Sequence, residues 1–140
     1  MDEARAVELY RAAAEQGLPR AQCCLGYCTE KGIGTEADPA AAAEWYRRSA
    51  EGGYSRGMYN YACCFENGTG VKKDLPLAQQ WYERAAKEGL PDAMYELGVW
   101  YEDGRCGPKD AAQALAWYKK AAEAGHDRAR KAVERMEKLV

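Results

Sequence analysis

No apolar run in these 140 residues approaches the roughly 18 that a membrane-spanning helix requires, and no basic-then-apolar leader opens the chain. The expectation is no membrane insertion and a cytoplasmic protein, or a secreted one if a leader has been trimmed. Excess positive charge is missing too: Lys and Arg total 20 against 22 Asp and Glu, a net charge of -2. Phosphate recognition needs a basic face, so a basic nucleic-acid reader is excluded and no nucleic-acid partner is expected. Histidine occurs once and serine stands only at Ser49 and Ser55, which leaves little for nucleophilic catalysis. Phenylalanine also occurs once, whereas tyrosine occurs 10 times and tryptophan four. Rings this uneven suggest that particular positions are being reused. With 47% apolar and 30% charged residues, the chain can bury a core without staples and is not disordered.

The reuse has a period of 36. Leu9-Tyr10 is followed by Trp45-Tyr46, Trp81-Tyr82 and Trp117-Tyr118. Gly17, Gly53, Gly89 and Gly125 keep that spacing, as do Asp2, Asp38, Asp74 and Asp110. No residue is inserted or deleted across the copies. A period between 20 and 50 residues is the signature of a solenoid or propeller. Locally the pattern is helical: Ala42, Trp45, Tyr46, Ser49 and Ala50 form one stripe, with Asp38 and Pro39 as a start and Gly53 as a stop. The other half-period repeats Ala21, Leu25, Gly26, Cys28 and Thr29 as Gly57, Tyr61, Ala62, Cys64 and Phe65. Strand signals are absent, so the fold class is all-α, an array of helical hairpins. The expected layout is a single repeat domain over 1–140, with a partial repeat at 1–16 and full repeats at 17–52, 53–88 and 89–124. A C-terminal capping helix covers 125–140, with Ala129, Val133 and Met136 inward and a polar outer face. The N-terminus opens on the second helix of a unit, a natural end or a truncation. Strict spacing suits a consensus design, but six irregular cysteines and free variation at 24, 60 and 96 point to a natural protein.

These residues resemble the Sel1-like repeat family, relatives of the tetratricopeptide repeats. The third copy reads Ala93, Leu97-Gly98, Tyr101 and Gly104, then Asp110, Ala114, Trp117-Tyr118, Ala121-Ala122 and Gly125. Departures are Thr29 in place of Tyr, Ala62 in place of Gly, and Cys106 in place of the second loop Gly, where changes of packing and loop shape are expected. The resemblance implies an α/α right-handed superhelix whose first helices line a concave peptide-binding groove. Helix phase then places Arg20, Cys23, Tyr27 and Glu30 on that groove, followed by Arg56, Tyr59, Cys63 and Glu66. Asp92, Tyr95, Val99 and Glu102 come next. Tyr and Arg combine contact area with a polar handle, so the candidate peptide-binding residues are Arg20, Tyr27, Arg56, Tyr59, Asp92, Tyr95 and Glu102. The opposing reading is that the tyrosines pack between helices.

The same resemblance bears on the cysteines and on catalysis. Cysteine-rich Helicobacter relatives staple each hairpin, but the corresponding pairs here are Gln22 with Ala50, Met58 with Ala86, and Met94 with Ala122. Cys23, Cys24, Cys28, Cys63, Cys64 and Cys106 are therefore expected as unpaired thiols. A metal site at Cys24, Cys28 and Cys64 is the sharper alternative, against which stand the absence of CxxC and the remoteness of His126, expected in a loop. Some Helicobacter relatives bind or weakly hydrolyse β-lactams, yet neither serine is followed three residues later by lysine, and Ser49 falls on the core stripe. The expectation is a monomeric, non-enzymatic protein–protein interaction module or adaptor. It binds a protein or peptide and needs no cofactor. Weak β-lactam chemistry and thiol or metal binding are the alternatives.

Overall fold

The computed structural model describes residues 2–138. They form eight helices: α1 (Glu3–Glu15), α2 (Pro19–Lys31), α3 (Pro39–Glu51), α4 (Ser55–Asn67), α5 (Leu75–Lys87), α6 (Pro91–Asp103), α7 (Ala111–Glu123) and α8 (Asp127–Glu137). No strand occurs among the described residues. The helices pair into hairpins on the 36-residue period.

Local chemistry sets each boundary. Asp2, Asp38, Asp74 and Asp110 each accept a hydrogen bond from a first-turn amide, at Ala4, Ala41, Leu77 and Gln113, which satisfies donors the helix cannot. The second helices end in one motif. In α1 the amide of Gly17 donates to Ala14 and that of Leu18 to Ala13; Gly53 and Tyr54 repeat this on Ala50 and Ser49, as do Gly89 with Leu90 and Gly125 with His126. The motif needs a left-handed residue, and these glycines hold φ between +88° and +94°. The loop expectation at Cys106 holds: Gly34 and Gly70 both have φ +71°, whereas among the described residues no non-glycine residue has positive φ and Gly107 turns at +147° instead.

The helices fall into two compact units, Met1–Trp81 and Tyr82–Val140, with α5 running through the division. In the first unit, α3 packs against α2 and α4, burying Ala42, Ala43, Tyr46, Ser49 and Ala50 while Trp45 stays half-exposed. In the second, Ala114, Tyr118, Ala121, Ala129, Ala132 and Met136 make one cluster, with Tyr95, Leu115 and Val133 on its margin. The expected inward set on α8 therefore widens: Ala132 is buried with Ala129 and Met136, and Val133 is half-buried against them. On α2, Gln22 and Cys23 are buried in addition to Leu25, Gly26, Cys28 and Thr29 of the expected stripe, and Ala21 is half-buried. A helix flanked by two neighbours buries a wider arc than the single stripe that periodicity shows.

Candidate functional site

Of the seven residues proposed from the sequence, Arg20 and Tyr27 are exposed, Tyr27 to 50%. Both stand on α2, but they line different recesses. Arg20 joins Tyr10, Leu18, Ala21 and Cys24 around an open cleft of about 490 Å³. Tyr27 borders a smaller recess of about 190 Å³ with Glu30, Lys31, Tyr46, Asn60, Asn67 and Thr69, closed by Cys63 and Cys64. Helix α2 supplies the first of these side chains, α4 supplies Asn60 and Asn67, and the loop after α4 supplies Thr69.

At the base of this recess the Tyr46 hydroxyl donates to Glu30 at 2.8 Å. Burial, then the bond to that carboxylate, pushes the Tyr46 phenol well above its ordinary range. Lys31 stands 3.8 Å from Glu30. Asn60 donates to the Cys23 sulfur at 3.4 Å. Cys23 corrects the groove assignment: it is 5% exposed, packed with Ala42, Ala43, Tyr46 and Cys64, because α2 meets α4 as well as α3. Burial pushes the Cys23 and Cys64 thiols up to about 12, so both are protonated at neutral pH. No disulfide joins any of the six cysteines. Among the described residues no group of three or more His, Cys, Asp and Glu assembles around a point, and Cys24, Cys28 and Cys64 do not meet as a metal set. The Ser49 hydroxyl is wholly buried and donates to the Pro19 carbonyl at 2.7 Å, a packing role.

The other five residues make contacts of their own. Arg56 lies 5.2 Å from the centre of the Tyr59 ring, and both are half-buried. In the second unit Tyr95 stacks on His126 at 4.7 Å and meets Tyr118 at 5.6 Å. Asp92 reaches His126 Nε2 at 3.3 Å. Glu102 accepts from Tyr118 at 2.7 Å and from Arg135 at 2.5 and 2.8 Å; the guanidinium first, then the phenol, hold its carboxyl below the usual range. Asp92, Tyr95 and Glu102 are thus half-buried and partnered rather than free on a groove. His126, expected in a loop, caps α8 by accepting from the Ala129 amide through Nδ1 at 3.1 Å. The sequence reading missed Asn60, Asn67 and Thr69, which lie off the repeated stripe. It also missed the Tyr–Glu bonds, although a spacing of 16 separates Glu30 from Tyr46 and Glu102 from Tyr118.

The Sel1 repeat profile matches residues 2–18, 19–54, 55–90 and 91–126, most of the chain. The chain belongs to the Sel1 repeat family. Three solved Sel1-type structures resemble it. A protective antigen of uropathogenic Escherichia coli with an SLR fold is 34% identical, with TM-score 0.87, over 96% of this chain and 29% of its own. A Sel1 repeat protein of Oxalobacter formigenes is 36% identical, with TM-score 0.90, over 94% of this chain and 38% of its own. Helicobacter pylori cysteine rich protein B is 25% identical, with TM-score 0.74, and 94% of each chain is covered. This Sel1 chain spans about a third of the length of the first two. No curated protein matches it.

Proposed function

We propose that this Sel1 chain is a non-enzymatic interaction module that holds a protein segment in the recess beside Tyr27. The carrying observation is the lining: an exposed ring, two carboxamides, a threonine hydroxyl, an ammonium and a carboxylate around about 190 Å³. That space is smaller than the roughly 300–1,000 Å³ of small-molecule sites, and it suits one or two side chains of a longer ligand crossing the surface. Asn67 and Thr69 offer both donors and acceptors to a peptide backbone, while Tyr27 supplies the apolar anchor. Arg56 and Tyr59, on the next first helix, add a second aromatic and cationic contact. The module acts as a monomer and without a cofactor.

A displayed library of random peptides, selected against the folded chain, tests this. Selected peptides are expected to lose about tenfold or more in affinity for a Tyr27→Ala variant, the range of an aromatic anchor, and less for Asn67→Ala. Because Tyr27 is exposed, circular dichroism should show unchanged helicity. Selected peptides that bind Tyr27→Ala and Asn67→Ala as tightly as the parent would refute this location.

A further inference from the structure

A shift of two periods lays one set of three helices on another. Helices α2, α3 and α4 correspond to α6, α7 and α8, and Glu30, Tyr46 and Cys63 correspond to Glu102, Tyr118 and Arg135. In both sets the glutamate accepts the phenol of the buried tyrosine, at 2.8 Å in the first and 2.7 Å in the second. Beyond that bond the sets differ. Arg135 reaches from α8 to lay its guanidinium on Glu102, with Nη1 2.5 Å from Oε2 and Nη2 2.8 Å from Oε1. Such a two-pronged contact is the strongest that an arginine makes with a carboxylate.

In the first set a thiol stands in the arginine's place. The second oxygen of Glu30, Oε2, faces the Lys31 ammonium at 3.8 Å, outside hydrogen-bond distance. The glutamate side chain is nevertheless as open as its counterpart, 28% exposed in each set. The recess of about 190 Å³ is lined by all three corresponding residues, Glu30, Tyr46 and Cys63. It therefore lies where the second set holds a guanidinium, and no arginine of the described residues lines it.

We propose that the recess binds the guanidinium of an arginine in the partner segment, seated on Glu30 as Arg135 is seated on Glu102. This names the chemistry of the ligand and rests on the reading of the recess as a peptide site. Helix α4 already fills the place of α8 and carries Cys63 where the arginine would be, so the group arrives with a ligand. The lining suits it. A guanidinium is a planar fork of N–H donors with no acceptor. Glu30 answers one edge of the fork, and Asn67 and Thr69 carry oxygens for the remaining donors. Tyr27 offers an exposed ring face to the cation. Lys31 is the competitor, but an exposed ammonium at 3.8 Å holds its carboxylate weakly, and a bidentate guanidinium displaces it.

The probes are peptides selected from the random library on the folded chain, and each is resynthesised with citrulline or lysine in place of its arginine. Citrulline keeps the shape and loses the charge; lysine keeps the charge and loses the fork. Selected peptides are expected to carry arginine. By fluorescence anisotropy, citrulline should weaken binding about tenfold or more and lysine about threefold to tenfold. Glu30→Gln should weaken the arginine peptide about tenfold and leave the citrulline peptide nearly unchanged, while Lys31→Ala should tighten the arginine peptide about twofold to threefold. Cys63→Arg supplies the second set's guanidinium from within and should abolish arginine-dependent binding, with helicity retained by circular dichroism. Peptides that require Tyr27 yet lack arginine, or that bind equally well with citrulline, overturn the arginine assignment and leave the peptide site standing. Binding indifferent to both Glu30→Gln and Cys63→Arg overturns it as well. Peptides that bind Tyr27→Ala and Asn67→Ala as tightly as the parent overturn both readings.

Discussion

Replacing Gly98 by alanine sets two effects of opposite sign against each other. Alanine in a helix interior is favoured over glycine by about 1 kcal/mol, so propensity alone raises stability. The new Cβ, however, would stand 2.5 Å from two carbons of the Tyr118 ring and 3.0 Å from a third. That ring has little room to retreat: Tyr118 is 1% exposed, faces Tyr95 at 5.6 Å, and its hydroxyl is tied to Glu102. Overpacking of this kind costs about 1–3 kcal/mol, and the tethered ring places it at the upper end. The expected net loss is about 1–2 kcal/mol, a fall in Tm of about 3–8 °C for a chain of this size. Alanine already stands at the equivalent position 62, wholly buried, so a repeat built around it accommodates the methyl, and the loss stays moderate. Thermal unfolding followed by far-ultraviolet circular dichroism measures it. In a double-mutant cycle, Tyr118→Leu should remove most of the cost of Gly98→Ala, since the colliding ring is gone. A higher Tm for Gly98→Ala, or strict additivity with Tyr118→Leu, would refute the account of the glycine as a ring seat.

Two further predictions concern charge and proton. At about pH 7.5, iodoacetamide should alkylate Cys24, Cys63 and Cys106 well before Cys23 and Cys64, because burial raises the latter two thiols to about 12 and shields them; peptide mapping showing uniform labelling would contradict this. Glu102 titrates below its ordinary value of 4.5 through Arg135 and Tyr118, so its contribution is present above that value and is lost as pH falls through the depressed one. The stability deficit of Arg135→Met in urea should therefore be largest above about pH 5 and shrink below about pH 4, and a deficit constant over that range would count against the pair.

Much of this architecture is legible in the amino-acid order because its signals are local. Asp38 and Asp110 cap within three residues, Gly17 and Gly125 turn two residues past the helix, and the period itself multiplies each signal. The expectation of thiols without staples rests on the family resemblance, which sets Gln22, Met58 and Met94 at the staple positions, and no disulfide forms. The candidate site was read less well. Helix phase places Cys23, Tyr27, Tyr59 and Tyr95 on comparable faces, yet Cys23 is buried by a second neighbour, Tyr95 is stacked on His126, and Tyr27 is half open. Periodicity reports one stripe per helix, whereas burial depends on how many helices lie against it. Tyr10 and Tyr46 make the point within one unit: the same motif at the same phase is 36% exposed in α1 and 1% in α3. The order of residues determined the helices, their caps and their pairing through interactions spanning a few residues. Which tyrosines are sealed, which thiols are silent and which face stays open was decided by packing between helices, because solvent exclusion is a property of neighbours and not of the residue itself.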